Sequence, residues 1–170
     1  TSRDNTVRCP AASRLVLDLG AGDDWVFVDP GGIAESLVPG MLSAPVHTMN
    51  GGGGADTVSF DGGRTAASVN TPDANDAQMD GSNWQIAEVE RCIGTRFADR
   101  FTGTANSEFF SGQAGDDTFD GLGGADEFEG GSGFDSVLYS SRTNPVSATV
   151  DGQANDGEAG ESDHIWDTVE

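Results

Sequence analysis

A chain of 170 residues with 29 acidic and 8 basic side chains, none of the latter lysine, carries a formal net charge of -21. Nucleic acids and anionic membrane surfaces are excluded as partners, because both are recognised through basic patches; small cations suit such a chain instead. The length fits one domain or an array of small repeats, and no apolar run approaches the roughly 18 residues of a membrane span.

The first segment, 1–50, opens at Thr1 without a signal-peptide pattern, so the sequence reads as a processed form or a fragment. "SRLVLDL" (13–19) alternates Leu15, Leu17 and Leu19 on one face of a predicted strand. "LGAGDDWVF" (19–27) is a glycine-rich acidic turn followed by an apolar strand. Residues 28–50 contain three prolines and no acidic column, and read as a protruding loop. A second unit, 51–90, begins with another glycine-rich acidic turn, "GGGGADTVS" (51–59), and ends on "NWQIAEVE" (83–90). Cys9 and Cys92 admit three readings: free buried thiols, a metal pair or one disulfide. The absence of a CxxC spacing weakens the zinc reading.

The strongest signal lies in 91–138. From Gly94 the chain reads GTRFADRFT, GTANSEFFS, GQAGDDTFD, GLGGADEFE, GGSGFDSVL. Position one is glycine in every unit, position six is Asp99, Glu108, Asp117, Asp126 and Asp135, and position eight is Phe101, Phe110, Phe119, Phe128 and Val137. Halophilic acid would be spread over the surface, whereas this acid recurs at fixed spacing.

Each column has a physical role. Glycine permits the positive φ and close backbone approach that a tight turn demands. Positions seven to nine suffice for a three-residue strand with its middle side chain on one face. Two units then close one coil of eighteen residues, and stacked coils pair their strands in parallel and bury position eight as an apolar ladder. Acids two units apart face each other about 5 Å apart, the spacing between strands. They repel strongly unless a cation lies between them. Carboxylates and turn carbonyls are hard oxygen donors, which suit Ca²⁺ with its six to eight ligands. No histidine or thiol occupies these turns, so zinc and copper are disfavoured.

The last segment, 139–170, holds the acidic stretch "DGQANDGEAGESD" (151–163), read as a solvated turn or an extra cation site, and ends on "DHIWDTVE" (163–170). It repeats the earlier unit: "GGGGADTVSFDGGRT" (51–65) matches "GGSGFDSVLYSSRT" (130–143), and the two terminal strings match at a spacing near 80. No GxSxG elbow, HExxH helix or P-loop occurs, and neither His47 nor His164 sits in a catalytic motif, so an independent enzyme is not expected. Trp25, Trp84 and Trp166 are expected in core or cap positions, with a sugar-stacking surface as the alternative.

These turns resemble the GGxGxDxUx nonapeptide of the RTX (repeat-in-toxin) family. The resemblance implies an all-β parallel β-roll in which Ca²⁺ bridges stacked turns through position-six acids and turn carbonyls. Carried onto this chain, the acids are Asp24, Asp56, Asp99, Glu108, Asp117, Asp126 and Asp135, and the carbonyls those of Gly112, Ala114, Gly121, Gly123, Gly130 and Ser132. Asp117 is expected to face Asp135, Asp99 to face Asp117, and Glu108 to face Asp126. The turns GTRFAD and GTANSE lack inner glycines and are expected to hold weak or empty sites. A secreted or cell-surface, calcium-folded, noncatalytic module is implied, which also favours a Cys9–Cys92 disulfide. The alternatives are a subunit assembling head-to-tail through the ends of the roll and an accessory domain of a larger secreted enzyme.

Overall fold

Three residues between glycine-rich turns can form only short strands, so the fold gains its core by stacking them. A computed structural model describes residues 16–27, 46–61, 68–70, 76–79 and 82–170, with side chains for 18–27, 49–61 and 88–170. Among these residues the structure is all-β, without helices, and forms two eight-stranded sheets. The first runs in the order β1 (Val16–Asp18), β3 (Val46–Asn50), β7 (Ser82–Ala87), β6 (Asp76–Met79), β5 (Ser68–Asn70), β9 (Arg100–Thr102), β11 (Thr118–Asp120), β13 (Ser136–Val137). The second runs β14 (Val146–Ser147), β15 (Ala154–Glu158), β16 (Asp163–Ile165), β12 (Glu127–Ser132), β10 (Phe109–Ala114), β8 (Arg91–Ile93), β4 (Thr57–Ser59), β2 (Trp25–Phe27).

Between β8 and β13 the chain crosses from one sheet to the other at every turn, and each strand pairs in parallel with the one two units away. Phe101 is in register with Phe119, and Phe119 with Val137; across the roll Cys92 meets Phe110, and Phe110 meets Phe128. This is the eighteen-residue coil of a parallel β-roll. The four phenylalanines are wholly buried, at 0 % exposure. Phe101 and Phe119 stack with ring centroids 5.3 Å apart, and Phe119 meets Phe128 at 5.8 Å. Such offset contacts add to the burial of each ring, worth roughly 1.5–3 kcal/mol. Val58 extends the ladder at one end and Ile165 at the other.

Two excursions interrupt the parallel stacking. β5, β6 and β7 form an antiparallel meander before β7 returns beside β3 in parallel. β14, β15 and β16 repeat that topology, with β16 returning beside β12. The repeat of about 80 residues is therefore structural. Val89 and Val169 are both buried, and the carbonyls of Glu88 and Thr168 lie over Gly51 and Gly130, where any Cβ would collide with them.

Several expectations change. The final five residues of the segment read as a loop are strand β3, held between β1 and β7; residues 28–45 lie outside the described residues. Cys92 is a buried free thiol packed between Val58 and Phe110, and burial pushes its pKa upward; Cys9, and with it the expected pairing, lies outside the described residues. Trp25 and Trp166 are exposed, not core, because they occupy outward positions flanking the inward Val26 and Ile165; the side chain of Trp84 is not among those described.

Candidate calcium-binding turns

The turns form two edges of the roll, and on each edge one acid from every coil stacks on the next. On the first edge the backbone N–H of Asp24 donates to Asp56 Oδ1 (2.9 Å), that of Asp56 to Glu90 Oε2 (2.8 Å), that of Glu108 to Asp126 Oδ1 (2.9 Å) and that of Asp126 to Asp163 Oδ1 (3.0 Å). On the second, the N–H of Asp99 donates to Asp117 Oδ1 (2.7 Å) and that of Asp117 to Asp135 Oδ1 (2.8 Å). The three facings expected from the nonapeptide register are present. Glu90 and Asp163 join the same column although neither sits in a nonapeptide; their only signal was their place in the matched terminal strings.

One oxygen of Asp56, Glu90, Asp117, Asp126, Asp135 and Asp163 is thereby tied to the neighbouring coil, and the fate of the other oxygens differs between turns. Oδ2 of Asp24, Asp56, Asp117, Asp126 and Asp135 is buried without any hydrogen-bond donor. A buried anionic oxygen left so costs several kcal/mol unless a positive charge meets it. The first glycine of each turn makes room there. A Cβ at Gly51, Gly112, Gly121 or Gly130 would strike Oδ2 of that turn's own aspartate. At Gly112 the same space is bounded by the Gly130 carbonyl oxygen, 2.8 Å from where a Cβ would stand. The glycine thus leaves a cradle lined with carboxylate and carbonyl oxygen.

The second and fourth residues bend the turn. Gly131 and Gly133 have φ of 113° and 144°, and Gly133 lies against the Gly115 carbonyl of the coil beneath. Gln113 and Leu122 hold the second position at positive φ without being glycine. Among the candidate carbonyls, that of Ser132 accepts the Gly115 N–H at 2.8 Å. Outside the cradle, Asp23 and Asp116 stitch adjacent turns by accepting the N–H groups of Ala55 and Phe134.

Burial raises the Asp117 pKa to about 7 and the Asp126 pKa to about 8, with the stacked carboxylates adding to the rise. Asp135 and Glu108 shift upward chiefly through burial as well. Such turns bind protons or metal cations rather than remain bare anions. Among the described residues no group of three or more His, Cys, Asp or Glu side chains converges on one point. A cation between two turns would therefore meet a pair of carboxylates, with carbonyl oxygens completing its shell, which is hard-cation chemistry.

The acidic stretch 151–163 differs. Glu158 accepts the N–H groups of Thr143 and Asn144 and the Asn144 amide (2.7 Å). Asp156 accepts the N–H and hydroxyl of Thr149. Asp163 accepts the Tyr139 hydroxyl at 2.8 Å, while Glu161 pairs with Arg142 at 3.1 Å. This segment is a hydrogen-bonded cap over the last coil.

The comparison with known families agrees with this geometry. The RTX calcium-binding nonapeptide repeat matches the chain in four copies, over residues 48–65 and 102–137. No curated protein matches the chain. The chain thus carries a β-roll built from RTX nonapeptides, a repeat that binds calcium, and four copies accommodate several ions.

Proposed function

We propose that this chain is a noncatalytic, extracellular calcium-binding module whose β-roll folds when calcium is supplied. The observation that carries the reading is the set of five buried aspartate oxygens without donors, each in a column of stacked acids, with Asp24 on Asp56 and Asp117 on Asp135. At a net charge of -21 the metal-free chain repels itself, and a roll with empty cradles keeps that cost. A ligand that binds only the folded state stabilises it by mass action, so calcium binding free energy becomes folding free energy. Extracellular calcium modules work at about 10⁻⁴–10⁻³ M, which would leave the chain unfolded before export and folded after it. Asp24, Asp56, Asp117, Asp126 and Asp135 supply the carboxylates, aided by carbonyls such as that of Gly130.

Small-angle scattering tests this. A 170-residue chain should contract from a radius of gyration of roughly 44 Å in EDTA to roughly 16 Å in millimolar calcium. A compact particle in both conditions would refute it. End-to-end assembly is a second reading, favoured by β13 standing last in its sheet among the described residues, since an open strand edge invites a further strand. Sedimentation in calcium at rising protein concentration would reveal it, and a monomer throughout would exclude it.

A further inference from the structure

Two of the turns are built differently. In 94–99 and 103–108 the second residue is threonine, Thr95 or Thr104, and neither the second nor the fourth residue has a positive φ. The Thr95 N–H donates to Asp99 Oδ2 at 2.6 Å, and its hydroxyl lies 2.9 Å from Oδ1 and 3.1 Å from Oδ2. The same hydroxyl accepts the Phe97 N–H at 3.1 Å, so its single proton is directed at the carboxylate. The second turn repeats this. The Thr104 N–H donates to Glu108 Oε2 at 3.0 Å, its hydroxyl bonds Oε1, and the Asn106 N–H donates to that hydroxyl at 2.9 Å. Thr95 is wholly buried, as is nearly all of Asp99.

The division between turns is consistent. The buried carboxylate oxygens that lack a donor belong to Asp24, Asp56, Asp117, Asp126 and Asp135, and all five lie in turns without threonine at the second position. We propose that Thr95 and Thr104 stand in for the cation in their own turns, donating two hydrogen bonds to the acid that calcium would otherwise meet. Turns 94–99 and 103–108 are then metal-independent. Calcium is confined to the 19–24 and 51–56 pair, the 112–117 and 130–135 pair, and turn 121–126. This assignment rests on the calcium reading above and specifies where it applies. It gives the middle of the roll one coil whose two edges close without metal, adjacent to coils whose edges do not.

The test counts bound calcium by flow dialysis and measures melting at saturating calcium, using the full chain. Asp117→Asn should lose bound calcium, whereas Asp99→Asn should keep the wild-type count. Thr95→Val, which removes the hydroxyl that donates to Asp99 and accepts the Phe97 N–H, should keep the count and lower the melting temperature by about 3–12 °C, the scale expected for one charge-assisted hydrogen bond. Thr95→Ser should restore it. Loss of calcium in Asp99→Asn, or an unchanged melting temperature in Thr95→Val, would overturn the proposal. A wild-type chain that binds no calcium would instead refute the calcium reading, and the two Thr95 variants would still decide the hydrogen-bonded latch.

Discussion

Replacing Phe119 by alanine isolates the ladder from the metal, because the substitution leaves every acid in place. Phe119 is 0 % exposed and touches Phe101 and Phe128 at centroid distances of 5.3 and 5.8 Å. Truncating a buried phenylalanine costs about 3–5 kcal/mol through lost transfer energy and the cavity left behind. For a chain of this length each kcal/mol lowers the melting temperature by about 2–4 °C, so a fall of about 6–20 °C is expected at saturating calcium. Phe109→Ala is the matched control. Phe109 sits one position earlier on the outer face, under the Arg91 guanidinium at 4.1 Å, a contact worth about 0.5–1 kcal/mol. Its loss should cost less than about 5 °C. Thermal melts followed by circular dichroism compare the two. If Phe119→Ala falls no further than Phe109→Ala, the inward ladder is wrong.

Asp117→Asn should raise the calcium midpoint at least about tenfold, or ~1.4 kcal/mol, while Glu108→Gln, whose carboxylate is held by Thr104, should leave it nearly unchanged; equal shifts in titration would contradict the register. The metal-free roll should be more stable in acid. Burial raises Asp117 to about 7 and Asp126 to about 8, so between about pH 4 and pH 8 the folded state holds more protons than the unfolded one, and stability falls as pH rises through that window. Far-UV spectra in EDTA that show more β-structure at pH 8 than at pH 5 would refute this. Gln113→Gly should stabilise the roll by about 0.5–1 kcal/mol, because Gln113 is exposed and held at a φ of 80°, a conformation that costs a side chain but not glycine; a lower melting temperature would argue against that turn geometry.

The nonapeptide columns made the middle of the fold legible. A glycine, an acid and an apolar residue recurring together specify the turn, the edge and the inward position, and Phe101, Phe110, Phe119 and Phe128 all fall where that pattern puts them. The antiparallel meanders were not legible, since nothing in "PDANDAQMDG" or "DGQANDGEAGESD" marks strand pairing by alternation. Residues 46–50 were hidden by the prolines before them, although Met49 is inward. Glu90 and Asp163 escaped because a stacked acid reached from outside the repeat leaves no local signature. That the two threonine turns are built differently could be anticipated from their missing glycines. The threonine closure could not, because a hydroxyl that bonds an acid four residues later is a matter of turn conformation. Cys92, by contrast, is inward and in register, as its place just before the roll suggested.

The most direct test is a calcium titration of the intact chain followed by far-UV circular dichroism. The donor-free oxygens of Asp24, Asp56, Asp117, Asp126 and Asp135 and the net charge of -21 predict a largely unfolded spectrum in EDTA. A cooperative gain of β-structure should follow as calcium enters the millimolar range. Magnesium at the same concentration should fail to reproduce that gain, because its rigid octahedral shell dehydrates reluctantly. Identical β-rich spectra in EDTA and in calcium would contradict the account.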